Sequence, residues 1–168
     1  MQVTVKPRGG MTVLDWGEGP RRAAVGRSGI GVKLGEGDGV TPLGTYALRK
    51  LYWRADRIEW LVTELPVQAI ARNDGWCDAP GDESYNRPVK RPYPASSETL
   101  WREDGLYDLV VVIGFNDDPV VDGAGSAIFL HVAREDYGPT EGCVALAKDD
   151  LLALLAVLKL GDTITLAL

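Results

Sequence analysis

Residues 148–168, "KDDLLALLAVLKLGDTITLAL", decide the architecture, because they hold a single helical period followed at once by a strand. Leu151, Leu154, Leu155 and Leu158 recur at the three-and-four spacing that lines one face of a helix. Asp149 and Asp150 sit in the first turn, where the positive end of the helix dipole favours carboxylates. Gly161 is the expected stop, and "DTITLAL" alternates as a closing strand.

Working back towards the N-terminus, the signals are those of strands. "SAIFLHVA", 126–133, and "YDLVVVIGF", 107–115, are apolar and β-branched and predict buried strands. "TYALRKLYW", 45–53, reads as another strand, after a glycine-rich loop that runs through residue 44. "QVTV" and "MTVLDW" alternate around a Gly-Gly turn and predict a β-hairpin, with "RRAAVGRSGIG" continuing as a short strand. Twenty glycines and ten prolines supply the many turns such a chain needs. The expected fold is therefore mostly β (α+β), one domain over residues 1–168, with a late α-helix.

Residues 72–99 break the pattern, since prolines recur there and no periodicity survives. A loop of this length in a compact domain is functional or disordered. Trp76, Tyr85 and Tyr93 argue for order, because aromatic residues are scarce in disordered segments. We expect an ordered lid or substrate wall, with Trp76, Tyr85, Asn86 and Arg87 as substrate-binding candidates. The competing reading is that Trp76 and Tyr85 pin the loop to the core.

Composition excludes several classes. A formal net charge of −6 argues against a nucleic-acid partner, which needs a basic patch. Cys77, Cys143 and His131 are three candidate zinc ligands where a structural site wants four. Two cysteines make no disulfide framework, and Cys77 is open to three roles: inert, a regulatory disulfide, or a second reactive thiol. The longest apolar run, 151–158, is too short to span a bilayer. "MQVTVKPRGG" has no continuous apolar core and does not read as a signal peptide. As it stands the chain reads as cytoplasmic and monomeric; a trimmed leader would place it in the periplasm or cell envelope.

Chemistry concentrates in "PTEGCVAL", 139–146, and in His131, the one histidine of the chain. A thiol needs a base to become a nucleophile, and an imidazole can take its proton. Gly142 permits a tight turn before Cys143, so that the amides of both could face a substrate carbonyl. The bland alternative is a small buried cysteine beside an unrelated histidine.

Taken together, "EGDGVTPLGTY", "IFLHVA" and "TEGCVALAKDDLLALLAVLKLGDTITL" resemble the YkuD or L,D-transpeptidase catalytic domain. Thr41, Pro42, Gly44 and Tyr46 match the family's Thr-Pro-x-Gly-aromatic segment, and His131 its catalytic histidine. Thr140, Gly142 and Cys143 match the nucleophile motif, and Gly161 and Ile164 the ending. The resemblance implies a YkuD-like β-sandwich or barrel. It also implies peptidyl transfer on peptidoglycan stem peptides through a thioester on Cys143, with His131 as the base and no metal or organic cofactor. Three departures stand out: Glu141 replaces a histidine, Ala145 replaces an arginine, and the spacing from His131 to Cys143 is short. Arg134 could supply the lost charge for a substrate carboxylate. Glu141 could orient His131, repel a second carboxylate, or be a solvated loop charge. Two other functions stay in view: an L,D-carboxypeptidase trimming muropeptides with water as acceptor, and a non-catalytic domain that binds wall peptides.

Overall fold

The computed structural model describes residues 1–168. In chain order the strands are β1 (Gln2–Arg8), β2 (Met11–Asp15), β3 (Arg21–Ala24), β4 (Ile30–Gly31), β5 (Thr41–Pro42), β6 (Gly44–Trp53) and β7 (Val67–Ala69). They continue with β8 (Asp74–Cys77), β9 (Pro88–Lys90), β10 (Ser97–Thr99), β11 (Leu109–Ile113), β12 (Phe129–Val132), β13 (Val144–Leu146) and β14 (Thr163–Leu166). One helix, α1 (Lys148–Leu155), lies between β13 and β14.

The main sheet runs β11-β12-β13-β3-β2-β1-β14-β6 and closes on itself through β6 and β11, with β7 added beside β6. Closure removes the exposed edges that an open sheet of this size would have to protect. The expected hairpin is β1–β2, turning at Gly9 and Gly10, whose φ values of 58° and 81° are costly for residues with a Cβ. Two pairings in the barrel are parallel, β1 with β14 and β12 with β13. Each needs a long return connection, and α1 lies on one of them.

The apolar runs become two-faced strands. Leu109, Val111 and Ile113 of β11 join Leu130, Val144 and Leu146 in the barrel core. Val110 and Val112 face the other way, into a second cluster with Phe129, Trp76, Tyr107 and Leu100. A strand covered on both faces has no reason to alternate, so the continuous "LVVVI" run follows from its place. Leu151, Leu154, Leu155 and Leu158 are all fully buried in the barrel core, as their spacing predicts.

The structure differs from expectation in three places. Residues 72–99 are not structureless: β8, β9 and β10 form a separate antiparallel sheet in the order β10-β8-β9. Its strands of three or four residues are too short and proline-interrupted to leave a periodic signal. The helix ends at Leu155, well before Gly161; that glycine instead turns the chain into β14 at φ 96°. The loop before residue 44 contains a short parallel pairing of β4 with β5, which fixes Thr41 and Pro42. No helix is long and apolar enough to cross a membrane.

Candidate functional site

Strand parity decides where the chemistry lies. Leu130 pairs with Val144, and His131 with Ala145, across the parallel β12–β13 ladder. Leu130 and Val144 point into the barrel, so Phe129, His131, Cys143 and Ala145 share the outer face. Cys143 and His131 are diagonal neighbours on that face, within reach of one substrate. The β8–β10 sheet covers this outer face: Trp76 packs edge-on against Phe129, with ring centroids 5.2 Å apart.

Between the two layers lies a cavity of about 450 Å³. Cys143, His131, Thr140, Glu141, Arg134 and Ala145 line one side. Lys33, Glu36, Asp78, Glu98, Arg102 and Tyr107 are also among its lining residues. A volume of this order takes a short peptide segment.

The Cys143 thiol donates towards the Ala127 carbonyl at 3.2 Å, and its sulfur accepts from the Phe129 amide at 3.4 Å. Burial pushes the thiol up to about 12; Glu98 adds to this, while the Phe129 amide and Lys33 pull against it. His131 Nδ1 lies 2.9 Å from the Val132 carbonyl oxygen. A carbonyl can only accept, so Nδ1 carries the hydrogen and the lone pair is on Nε2. Burial lowers the imidazole to about 4, which leaves it neutral at pH 7. The resting pair is therefore a neutral thiol and a neutral base.

The turn before the cysteine is heavily braced. Thr140 Oγ1 donates to the Cys143 carbonyl at 2.6 Å and accepts from the Gly142 amide at 3.1 Å. Thr41 Oγ1 donates to the Gly142 carbonyl at 2.8 Å and accepts from the Gly26 amide at 2.8 Å. Gly142 has φ 139°, and a Cβ there would sit 2.9 Å from the Val40 carbonyl oxygen, so the position admits no side chain. The Gly142 amide, expected to face a substrate, is engaged by Thr140. The Cys143 amide makes no such bond within the protein.

The other candidates separate into two groups. Arg134 lines the cavity, exposed and without an ion-pair partner, and Glu141 is an exposed rim charge paired with Arg27 at 2.9 Å. Glu141 makes no hydrogen bond to His131, whose Nδ1 is engaged by the Val132 carbonyl. Trp76, Tyr85, Asn86 and Arg87 do not line this cavity. Trp76 is buried and donates through Nε1 to Asn86 Oδ1 at 2.9 Å. Asn86 also accepts from the Ala127 amide and donates to the carbonyls of Phe115 and Asn116. Tyr85 is buried with its hydroxyl on Glu36, and Arg87 donates to the Asp117 carbonyl at 3.0 Å. These residues pin the inserted sheet to the barrel, the alternative reading of the loop aromatics.

Sequence reasoning missed the far wall. Tyr107 donates to Glu98 and packs edge-on against His131, with ring centroids 5.2 Å apart. Burial raises the Glu98 carboxyl above its ordinary range. Asp78 Oδ1 and Ser126 Oγ are buried beside the cavity without a hydrogen-bond partner. Asp78, Glu98, Tyr107 and Ser126 are scattered over a short strand and several loops and form no motif, so no local signal marks them. Both cysteines are free, and Cys77 is fully buried. No group of three or more His, Cys, Asp or Glu side chains converges to hold a metal ion.

The family model for YkuD, the L,D-transpeptidase catalytic domain, matches residues 3–166. No curated protein and no solved structure matches the chain.

Proposed function

The chain belongs to the YkuD family of L,D-transpeptidase catalytic domains, and we propose that within it this protein is a cysteine-dependent L,D-transpeptidase acting on peptidoglycan stem peptides. The observation that carries the proposal is the pairing on one outer strand face: the Cys143 thiol and the free Nε2 of His131, both at the wall of a peptide-sized cavity.

In the first half-reaction Cys143 Sγ attacks the carbonyl of the donor's diamino acid L-centre. The thiol proton passes to His131 Nε2, and the carbonyl electron pair moves onto oxygen. The Cys143 amide is the backbone donor left for that oxyanion. Collapse re-forms the carbonyl and breaks the C–N bond, and the departing D-amino acid nitrogen takes the proton from His131. In the second half-reaction an acceptor amine gives a proton to Nε2 and attacks the thioester. The thiolate leaves and is reprotonated. A neutral imidazole suits both steps, because it can accept a proton at the start of each.

The acidic wall supports an amine over water as acceptor. Glu36, Asp78 and Glu98 border the cavity, and Asp78 Oδ1 lacks a donor. An amine or ammonium supplies the donors that water delivers less strongly. Arg134, exposed at the cavity wall and free of an ion-pair partner, supports a role in holding the donor's free carboxylate.

Incubation with a disaccharide-tetrapeptide, with and without a D-amino acid, separates the readings by mass spectrometry. A thioester on Cys143 and exchange products are expected. Tripeptide alone would make the protein a carboxypeptidase, and binding without adduct or turnover would make it a binding domain. Cys143→Ala should abolish turnover; retained turnover would overturn the assignment of the nucleophile.

A further inference from the structure

Lys33 is one element of the site that neither the sequence motifs nor the proposed mechanism uses. Its side chain is 4% exposed, although Leu34, Glu36 and Gly37 just after it are exposed. The ammonium donates to Asp38 Oδ1 at 2.7 Å and to the Val40 carbonyl at 3.2 Å. These two bonds leave its third N–H unassigned. A Cβ built on Gly142 would lie 3.6 Å from Lys33 Nζ, so the ammonium sits directly against the turn that carries Cys143. A Cβ on Gly125 would lie 2.5 Å from Lys33 Cε, so the stem threads a slot that only glycine leaves open. Burying an ammonium is costly, and a surface lysine would serve the loop equally well.

We propose that Lys33 is a catalytic residue: its buried ammonium is the cationic partner of the negative charge that forms at the Cys143 sulfur and on the substrate oxygen. The proposal rests on Cys143 as the nucleophile.

Two observations and one general principle support it. The Gly142 amide is engaged by Thr140, which leaves the oxyanion short of one backbone donor. A positive charge in a water-poor site compensates more strongly than it would in bulk water. Asp38 fixes the lysine without freeing it to move: its carboxylate also accepts from the amides of Leu34 and Val40. Burial pushes Asp38 up, but Lys33 and those amides outweigh it and hold the carboxyl at about 2.

The charges around the thiol make Lys33 distinctive. Glu98 on β10, Asp78 after β8 and Glu36 on the lysine's own loop are acidic, as is Glu141 at the rim. Arg102 and Arg134 lie on the His131 side, and Arg102 is occupied by Asp104. Of the charged side chains acting on the thiol, Glu98 opposes the thiolate and Lys33 favours it.

The test is the alkylation rate of Cys143 by iodoacetamide at pH 7, 8 and 9, read by peptide mass mapping to exclude Cys77. Lys33→Gln keeps a donor for Asp38 and removes the charge. Alkylation should slow about tenfold at each pH, the effect of raising the thiol by one pKa unit. Lys33→Arg should stay within about threefold of the parent, since it keeps the charge. A purely structural role predicts the opposite sign, because loosening exposes the thiol and speeds alkylation. An unchanged or faster rate in Lys33→Gln, or equal loss in Lys33→Arg, overturns the proposal. If Lys33→Gln does not fold, Asp38→Asn reads the same charge inversely: alkylation should speed several-fold, and an unchanged or slower rate overturns it. Turnover retained by Cys143→Ala refutes the nucleophile instead, so the two failures are distinguishable.

Discussion

Thr41 Oγ1 donates to the Gly142 carbonyl at 2.8 Å, joining two segments that lie 101 residues apart in the chain. The same oxygen accepts from the Gly26 amide, and Thr41 is fully buried. The Thr-Pro segment thus braces the back of the Gly142–Cys143 turn without lining the cavity.

Thr41→Val keeps the shape of the side chain but strands a buried carbonyl and a buried amide. We expect a loss of about 2–3 kcal/mol of stability, the cost of unpaired buried groups. Thermal unfolding and turnover should fall together, because the turn that presents Cys143 loosens. An unchanged melting temperature would show that the hydroxyl is not structural.

Asn86 is the second brace. It bonds Trp76, Ala127, Phe115 and Asn116, and the Ala127 carbonyl in turn accepts from the Cys143 thiol. Asn86→Ala should cost about 2–4 kcal/mol, since several buried partners lose bonds at once. Denaturant unfolding measures the loss. Cys143 alkylation should also change, whereas a residue that only contacted substrate would leave both unaltered.

The pH dependence of stability carries the mark of His131. Its folded value is about 4 against an ordinary 6.5, lowered by burial. Between these values the unfolded chain binds a proton that the folded chain does not, so stability rises with pH across this window. The contribution is fully present above about pH 6.5 and is lost as pH falls towards 4; its size is on the order of 3 kcal/mol. From pH 8 to pH 4 the unfolding free energy of the parent should fall by about this amount relative to that of His131→Phe. Parallel curves would refute the assignment.

Arg134→Ala should raise KM about tenfold with kcat little changed, the signature of lost carboxylate binding in ground and transition states alike. Steady-state kinetics on the tetrapeptide donor measures it. An unchanged KM would show that Arg134 does not hold the substrate.

Much of the fold was legible from particular residues. Leu151, Leu154, Leu155 and Leu158 announced the helix and its buried face, because a helical period survives in any environment. The hairpin at Gly9 and Gly10 was equally local. The β8–β10 sheet was not, because strands of three or four residues are held by cross-strand partners and not by their own pattern. Trp76 and Asn86 brace the inserted sheet, and the sequence leaves that reading level with a substrate wall, because an aromatic side chain and an amide in a long loop look alike whether they face a substrate or a core.

Local residue patterns carry the β-rich class, the late helix, and the succession of a histidine strand and a cysteine turn. Each rests on residues close together in the chain. The tertiary structure alone decided which groups converge on the thiol. Parity in β12 and β13 places Cys143 and His131 on one outer face, and the inserted sheet encloses that face. Lys33, Glu98 and Tyr107 come to the cavity from three separate segments. Their charges acquire meaning only through distance and burial, which barrel closure sets and a one-dimensional pattern does not carry.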